Sequence, residues 1–129
     1  MAIRIVRLGC PRAPDEGLRV GTVRRPPRGV PKARHAADDW YDVWYPELAP
    51  GADTVRMGLH GRSDEEFSGF ARHYRREMKE PAAARTIALL AALSHGSNFS
   101  VGCYCQDESR CHRSILRELL VKKGADVLP

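Results

Sequence analysis

The segment that most constrains the fold is Phe99-Ser-Val-Gly-Cys-Tyr104, which runs through a polar loop into Cys111 to Lys123. Phe99, Val101 and Cys103 share one face of an alternating pattern, the signature of a half-buried strand. Ile115, Leu116, Leu119 and Leu120 then recur at helical spacing, and Lys122-Lys123-Gly124 reads as a helix C-terminus. A strand feeding a helix through a loop is the building element of α/β proteins, whose sheets are mostly parallel because each crossover returns the chain to the same edge.

The rest of the chain fits that frame. Ala2 to Leu8 is β-branched and bounded by Gly9 and Pro11, which predicts a first strand; Pro11 to Gly17 is turn material, and Leu18 to Val23 predicts a second strand. Pro26, Pro27, Gly29 and Pro31 forbid a regular element between Arg24 and Lys32. From Ala36 to Tyr45, Trp40, Val43 and Trp44 have helical spacing with Asp38 and Asp39 near the start, so a helix is expected there, closed by Pro46 and Pro50. Ser63-Asp-Glu-Glu66 is a capping box opening a helix whose apolar face is Phe67, Phe70, Ala71, Tyr74 and Met78. Pro81 ends that helix and suits the first turn of the next, Ala82 to Leu93, which Gly96 stops. Asp126 to Leu128 is expected to add a short final strand. The expected architecture is one three-layer α/β domain over residues 1–129, with a largely parallel sheet flanked by helices. A chain of 129 residues buries a core without staples, so a metal would serve function rather than folding.

No stretch approaches the roughly 18 apolar residues of a membrane span. Arg4 and Arg7 interrupt what would be the apolar region of a signal peptide, so secretion is not expected and the cytoplasm is the expected compartment. The net charge of +5 is uneven: residues 1–36 carry nine basic and two acidic side chains, 37–70 two and eight, and 71–129 ten and six. Two basic segments can form one surface that attracts a phosphate, a nucleotide or nucleic acid, or they can be ordinary solvated charge. Most of the cations are Arg, the side chain suited to bidentate anion contacts.

The chemistry-bearing residues concentrate in the loop after the strand at 99–104. Ligands of open α/β sheets bind beyond the carboxyl ends of the strands, and this loop places Cys111, His112 and Arg113 there at a helix N-terminus. The free amides and dipole of that terminus attract anions and activate a thiol. Arg24, Arg25 and Arg28 follow the second strand and reach the same edge if that strand is parallel to the first. Cys103, Cys105, Cys111 and His112 together also satisfy the donor count of a tetrahedral zinc site, although Cys-x-Cys-x5-Cys-His is not a paired Cys-x2-Cys knuckle. A disulfide among the three cysteines is a further alternative, as is simple packing of small thiols, while Cys10 reads as a turn or surface thiol.

These residues resemble a known family, domain of unknown function 488, particularly its short YeaO-like members. Cys103, Asp107, Cys111, His112 and Arg113 match its C-terminal Cys…Asp…Cys-His-Arg motif. Arg19-Val20 with Arg24, Pro27, Arg28, Gly29, Val30 and Lys32 is similar to the Arg-Val…Arg…Pro-Arg-Gly-Val-Ser-Lys stretch of the short members. Trp44, Glu47, Leu48, Ala49 and Pro50 resemble their Trp-x-x-Glu-Leu-Ala-Pro. The resemblance implies the α/β fold and no assigned activity. Val23 stands where an Asp is usual, removing a carboxylate suited to acid/base work or to orienting an Arg, and Cys105 replaces an acid.

Three functions follow as expectations. The first is an enzyme on a phosphate-containing or nucleotide-like substrate, with Arg24, Arg28 and Arg113 binding the anion, His112 as acid/base and Cys111 as thiol. The second is a non-catalytic module that holds nucleic acid or a nucleotide in the same crevice. The third is a zinc or redox sensor built on Cys103, Cys105, Cys111 and His112.

Overall fold

The computed structural model describes residues 1–60 and 63–129. Four strands, β1 (Ile3–Arg7), β2 (Leu18–Gly21), β3 (Val43–Trp44) and β4 (Phe99–Cys103), form one sheet of order β1-β4-β2-β3, and every pairing is parallel. The helices are α1 (Ala52–His60), α2 (Asp64–Glu77), α3 (Pro81–Leu93) and α4 (His112–Lys122). The α/β domain with a parallel sheet is thus present. No helix of the described residues is long and apolar enough to cross a membrane.

Register explains the alternation in β4. Phe99 and Val101 pair with Ile3 and Ile5 of β1, and Val101 with Val20 of β2. These side chains form one apolar cluster with Phe70 and Tyr74 of α2, Ile87 of α3, and Ile115, Leu116 and Leu120 of α4. Helices therefore cover that face. The capping box forms as the sequence indicates: Ser63 Oγ accepts the Glu66 N–H at 3.0 Å while Glu66 bonds back to the Ser63 amide.

The opposite face is covered by loops rather than by helices. Gly21 faces Tyr41 so closely that a Cβ there would lie 2.4 Å from the ring. Beside it, Arg19 and Ser100 stand in register, and both bond to Glu16 in a fully buried network. The third nitrogen of the Arg19 guanidinium, Nη1, donates to the carbonyls of Cys10 and Asp39, at 2.8 and 2.7 Å, so one cation ties two loops to the sheet.

The helix expected from Ala36 to Tyr45 does not form. The segment turns after the short 3-10 helix Lys32–Arg34, Asp39 adopts φ +63°, and Val43–Trp44 joins β2 as the edge strand β3. A helical backbone cannot pass through a positive φ at Asp39, and the pairing of Val20 with Val43 recovers the hydrogen bonds that a helix would have made. The aromatic residues that suggested a helical face instead go to separate partners. Trp40 meets Tyr104 edge-on, Tyr41 meets His35, Trp44 Nε1 donates to the Val23 carbonyl, and the Tyr45 hydroxyl pairs with Thr86. Helix α1 follows Pro50 and Gly51, and the Gly51 amide donates to the Glu77 carboxylate of α2. At the C-terminus, Val127 makes a single parallel bridge to Ile3.

Candidate functional site

Because β2 and β4 are parallel neighbours, the chain leaving each emerges at the same sheet edge. The segment after β2 carries Arg24, Arg25 and Arg28, and the segment after β4 carries Cys105 to Cys111. Together with the β1 end and the start of α1 they enclose a cleft of about 940 Å³. That is the size of a small-molecule site, placed where open parallel sheets bind their ligands. Its wall includes Arg24, Arg28, Cys103, Cys105, Cys111 and His112, so the sequence-based candidates from both segments meet. Arg113 is not part of the wall.

The thiols and the imidazole are packed together on the inner side. Cys103 Sγ and Cys111 Sγ lie 3.1 Å apart, and Cys111 Sγ is 3.7 Å from His112 Nδ1. Cys111 is the N-cap of α4, its sulfur receiving the Arg113 amide, and Cys103 Sγ receives the Cys105 amide. His112 is 5% exposed, and its Nε2 is 2.8 Å from the Thr22 carbonyl oxygen. A carbonyl only accepts, so Nε2 carries a proton, and in the neutral ring Nδ1 presents its lone pair towards Cys111. Tyr74 packs edge-on against the ring. Hydrogen bonds from the Cys103 and Cys111 thiols, opposed by burial and aided by the Arg113 guanidinium, hold the Cys105 thiol well below its usual pKa. The same sulfur contacts, then burial, push the Cys103 thiol up.

The arginines divide by what their donors already do. Arg24 bonds the carbonyls of Pro46, Ala49 and Pro50, fastening the turn before α1 to the end of β2. Arg113 is buried with Nη2 on the Cys105 carbonyl at 2.6 Å, and its Nε has no hydrogen-bond partner among the described residues. Arg28 and Arg25 are exposed, and their guanidinium groups make no ion pair or hydrogen bond among the described residues. Val23, at the position of the missing Asp, packs in an apolar cluster with Leu8, Tyr41, Cys103 and Cys111.

Sequence reasoning missed part of the wall. Arg7, Arg56 and Arg110 bring the arginines lining the cleft to six, and no Asp or Glu lines it among the described residues. Arg56 and Arg110 pair with Asp53 and Asp64, whereas the Arg7 guanidinium bonds only the Tyr104 carbonyl. Trp40 and Tyr104 supply an aromatic wall, and Cys10, read as a remote surface thiol, is exposed in the same wall. Position after a parallel strand would have flagged Arg7, Cys10 and Arg110, the last directly before Cys111; nothing local marks Arg56.

A model of the active DUF488-N3 subclade matches residues 3–124, nearly the whole chain. The protein belongs to the DUF488 family. No curated protein and no solved structure matches it. The match spans both the Cys103 to Arg113 segment and the Arg-rich segment after β2.

Proposed function

We propose that this DUF488 protein binds a phosphate-bearing, nucleotide-like small molecule in the cleft at the carboxyl edge of its sheet. The observation that carries the reading is the lining itself: six arginines and no carboxylate among the described residues, beside the N-terminus of α4. Arg25 and Arg28, whose guanidinium groups have no partner among the described residues, have donors for the anion. Arg24, committed to three carbonyls, shapes that rim, and Arg113 supports it through Cys105. Trp40 and Tyr104, packed edge-on against each other, supply the aromatic part of the wall that a base or similar ring would meet. Cys111 and His112 are the groups on the inner wall placed to act on what binds, and the description of the matched subclade as active supports turnover over simple retention.

Calorimetry with inorganic pyrophosphate and a panel of nucleoside mono-, di- and triphosphates tests the reading. Saturable one-to-one binding is expected, weakened about tenfold or more by Arg28→Ala, since each charge-assisted contact contributes roughly 1.5–3 kcal/mol. Binding of none of these, with tight binding of oligonucleotides whose affinity falls steeply with salt, would replace it with the nucleic-acid module.

A further inference from the structure

Cys103, at the end of β4, and Cys111 and His112, at the start of α4, present two sulfurs and one imidazole nitrogen within 4.8 Å of one another. All three side chains are buried, yet all three border the cleft. The imidazole is already fixed for ligation. Its Nε2–H is held by the Thr22 carbonyl, the outer-shell bond that selects the tautomer and aims the other nitrogen of a metal-bound histidine. The two sulfurs, 3.1 Å apart, are not joined as a disulfide. Tetrahedral bonds of about 2.3 Å would set them roughly 3.8 Å apart, a small opening from where they stand.

We propose that Cys103, Cys111 and His112 hold a thiophilic divalent cation of the zinc class, with the fourth coordination position facing the arginine-lined cleft. Two sulfurs and a nitrogen suit zinc and disfavour magnesium or calcium, which take oxygen ligands. The sequence alone suggested four ligands; in the fold, Cys103, Cys111 and His112 form the mutually close set, while Cys105, whose thiol hydrogen-bonds with both sulfurs, is exposed on the cleft side. Three protein ligands and an open position make a reactive rather than a closed structural centre. Such a cation would polarise a bound oxygen or activate a water beside the Arg rim. This inference goes beyond the anion reading and stands without it, because the ligand set contains no arginine.

The test uses the whole protein, reduced and freed of metal by a chelator, titrated with cobalt(II) and then with zinc(II). One equivalent of cobalt with sulfur-to-metal charge-transfer absorption is expected, and zinc should displace it. Cys105→Ser should bind within about threefold of wild type. Cys111→Ser and His112→Ala should lose more than the roughly 10–100-fold that outer-shell changes cost. Because these buried substitutions can impair folding, thiol alkylation of the wild type read by peptide mass spectrometry provides a second measurement. Zinc should shield Cys103 and Cys111 and leave Cys10 and Cys105 reactive. Absence of thiolate charge transfer, undiminished binding by folded Cys111→Ser, or no shielding would each overturn the proposal.

Discussion

Replacing Glu16 by Gln keeps its shape and removes the only carboxylate, among the described residues, that pairs with a guanidinium of a residue 1% exposed. In the native protein Glu16 accepts Arg19 Nε at 2.7 Å and Nη2 at 3.0 Å, and the Ser100 hydroxyl at 2.6 Å. Burial pushes its pKa up, but these bonds and the Ala13 amide outweigh burial and lower it from 4.5 to about 2. Stability from a depressed carboxylate is present above its unfolded pKa and is lost as pH falls through the folded one. Glu16 therefore contributes on the order of 3 kcal/mol above pH 5, fading between about pH 4.5 and 2. Glu16→Gln leaves a buried cation uncompensated and should cost about 3–5 kcal/mol at neutral pH. Urea unfolding followed by tryptophan fluorescence at pH 7, 5, 4 and 3 measures both quantities. The gap between wild type and variant should narrow as the pH drops, with contributions from the other carboxylates cancelling in the difference. A gap below 1 kcal/mol at pH 7, or one that does not change with pH, refutes the reasoning. Because Arg19 also holds the Cys10 and Asp39 carbonyls, the variant should loosen the cleft wall beside Trp40.

Gly21→Ala drives a Cβ into the Tyr41 ring and should destabilise by roughly 1–3 kcal/mol, read as a lower thermal midpoint; an unchanged midpoint would contradict the close packing of the 39–42 segment on the sheet. Ser63→Ala removes the acceptor for the Glu66 amide and should cost about 1 kcal/mol in urea unfolding, whereas no measurable cost would mean that the capping box contributes nothing to α2.

The sequence disclosed those elements whose local signals agreed with their tertiary packing. β1 carried β-branched residues between turn boundaries, β4, α2, α3 and α4 a period, and α2 a cap, none of which packing overrode. The 36–45 segment was misread because Trp40, Val43 and Trp44 share helical spacing by coincidence; their partners, Tyr104, Val20 and the Val23 carbonyl, lie far away in sequence or belong to β2. The site was half legible. The Cys-His-Arg cluster and the arginines after β2 could be placed at one edge from strand direction alone. The buried Glu16–Arg19–Ser100 network could not, because its members look like surface charge and a strand hydroxyl until register brings Arg19 beside Ser100. The same holds for the contrast between Arg24 and Arg28: only the fold shows that one guanidinium is committed to carbonyls while the other is free among the described residues.

The central claim is that the arginine-lined cleft is where an anion binds, and an amide chemical-shift titration of the uniformly 15N-labelled protein with pyrophosphate tests it most directly. Saturable shifts are expected, confined to the chain after β2, at Arg24, Arg25 and Arg28, and to the Cys103 to Arg113 loop with the first turn of α4. Shifts scattered over the other basic surfaces, or none at millimolar pyrophosphate, would contradict the claim.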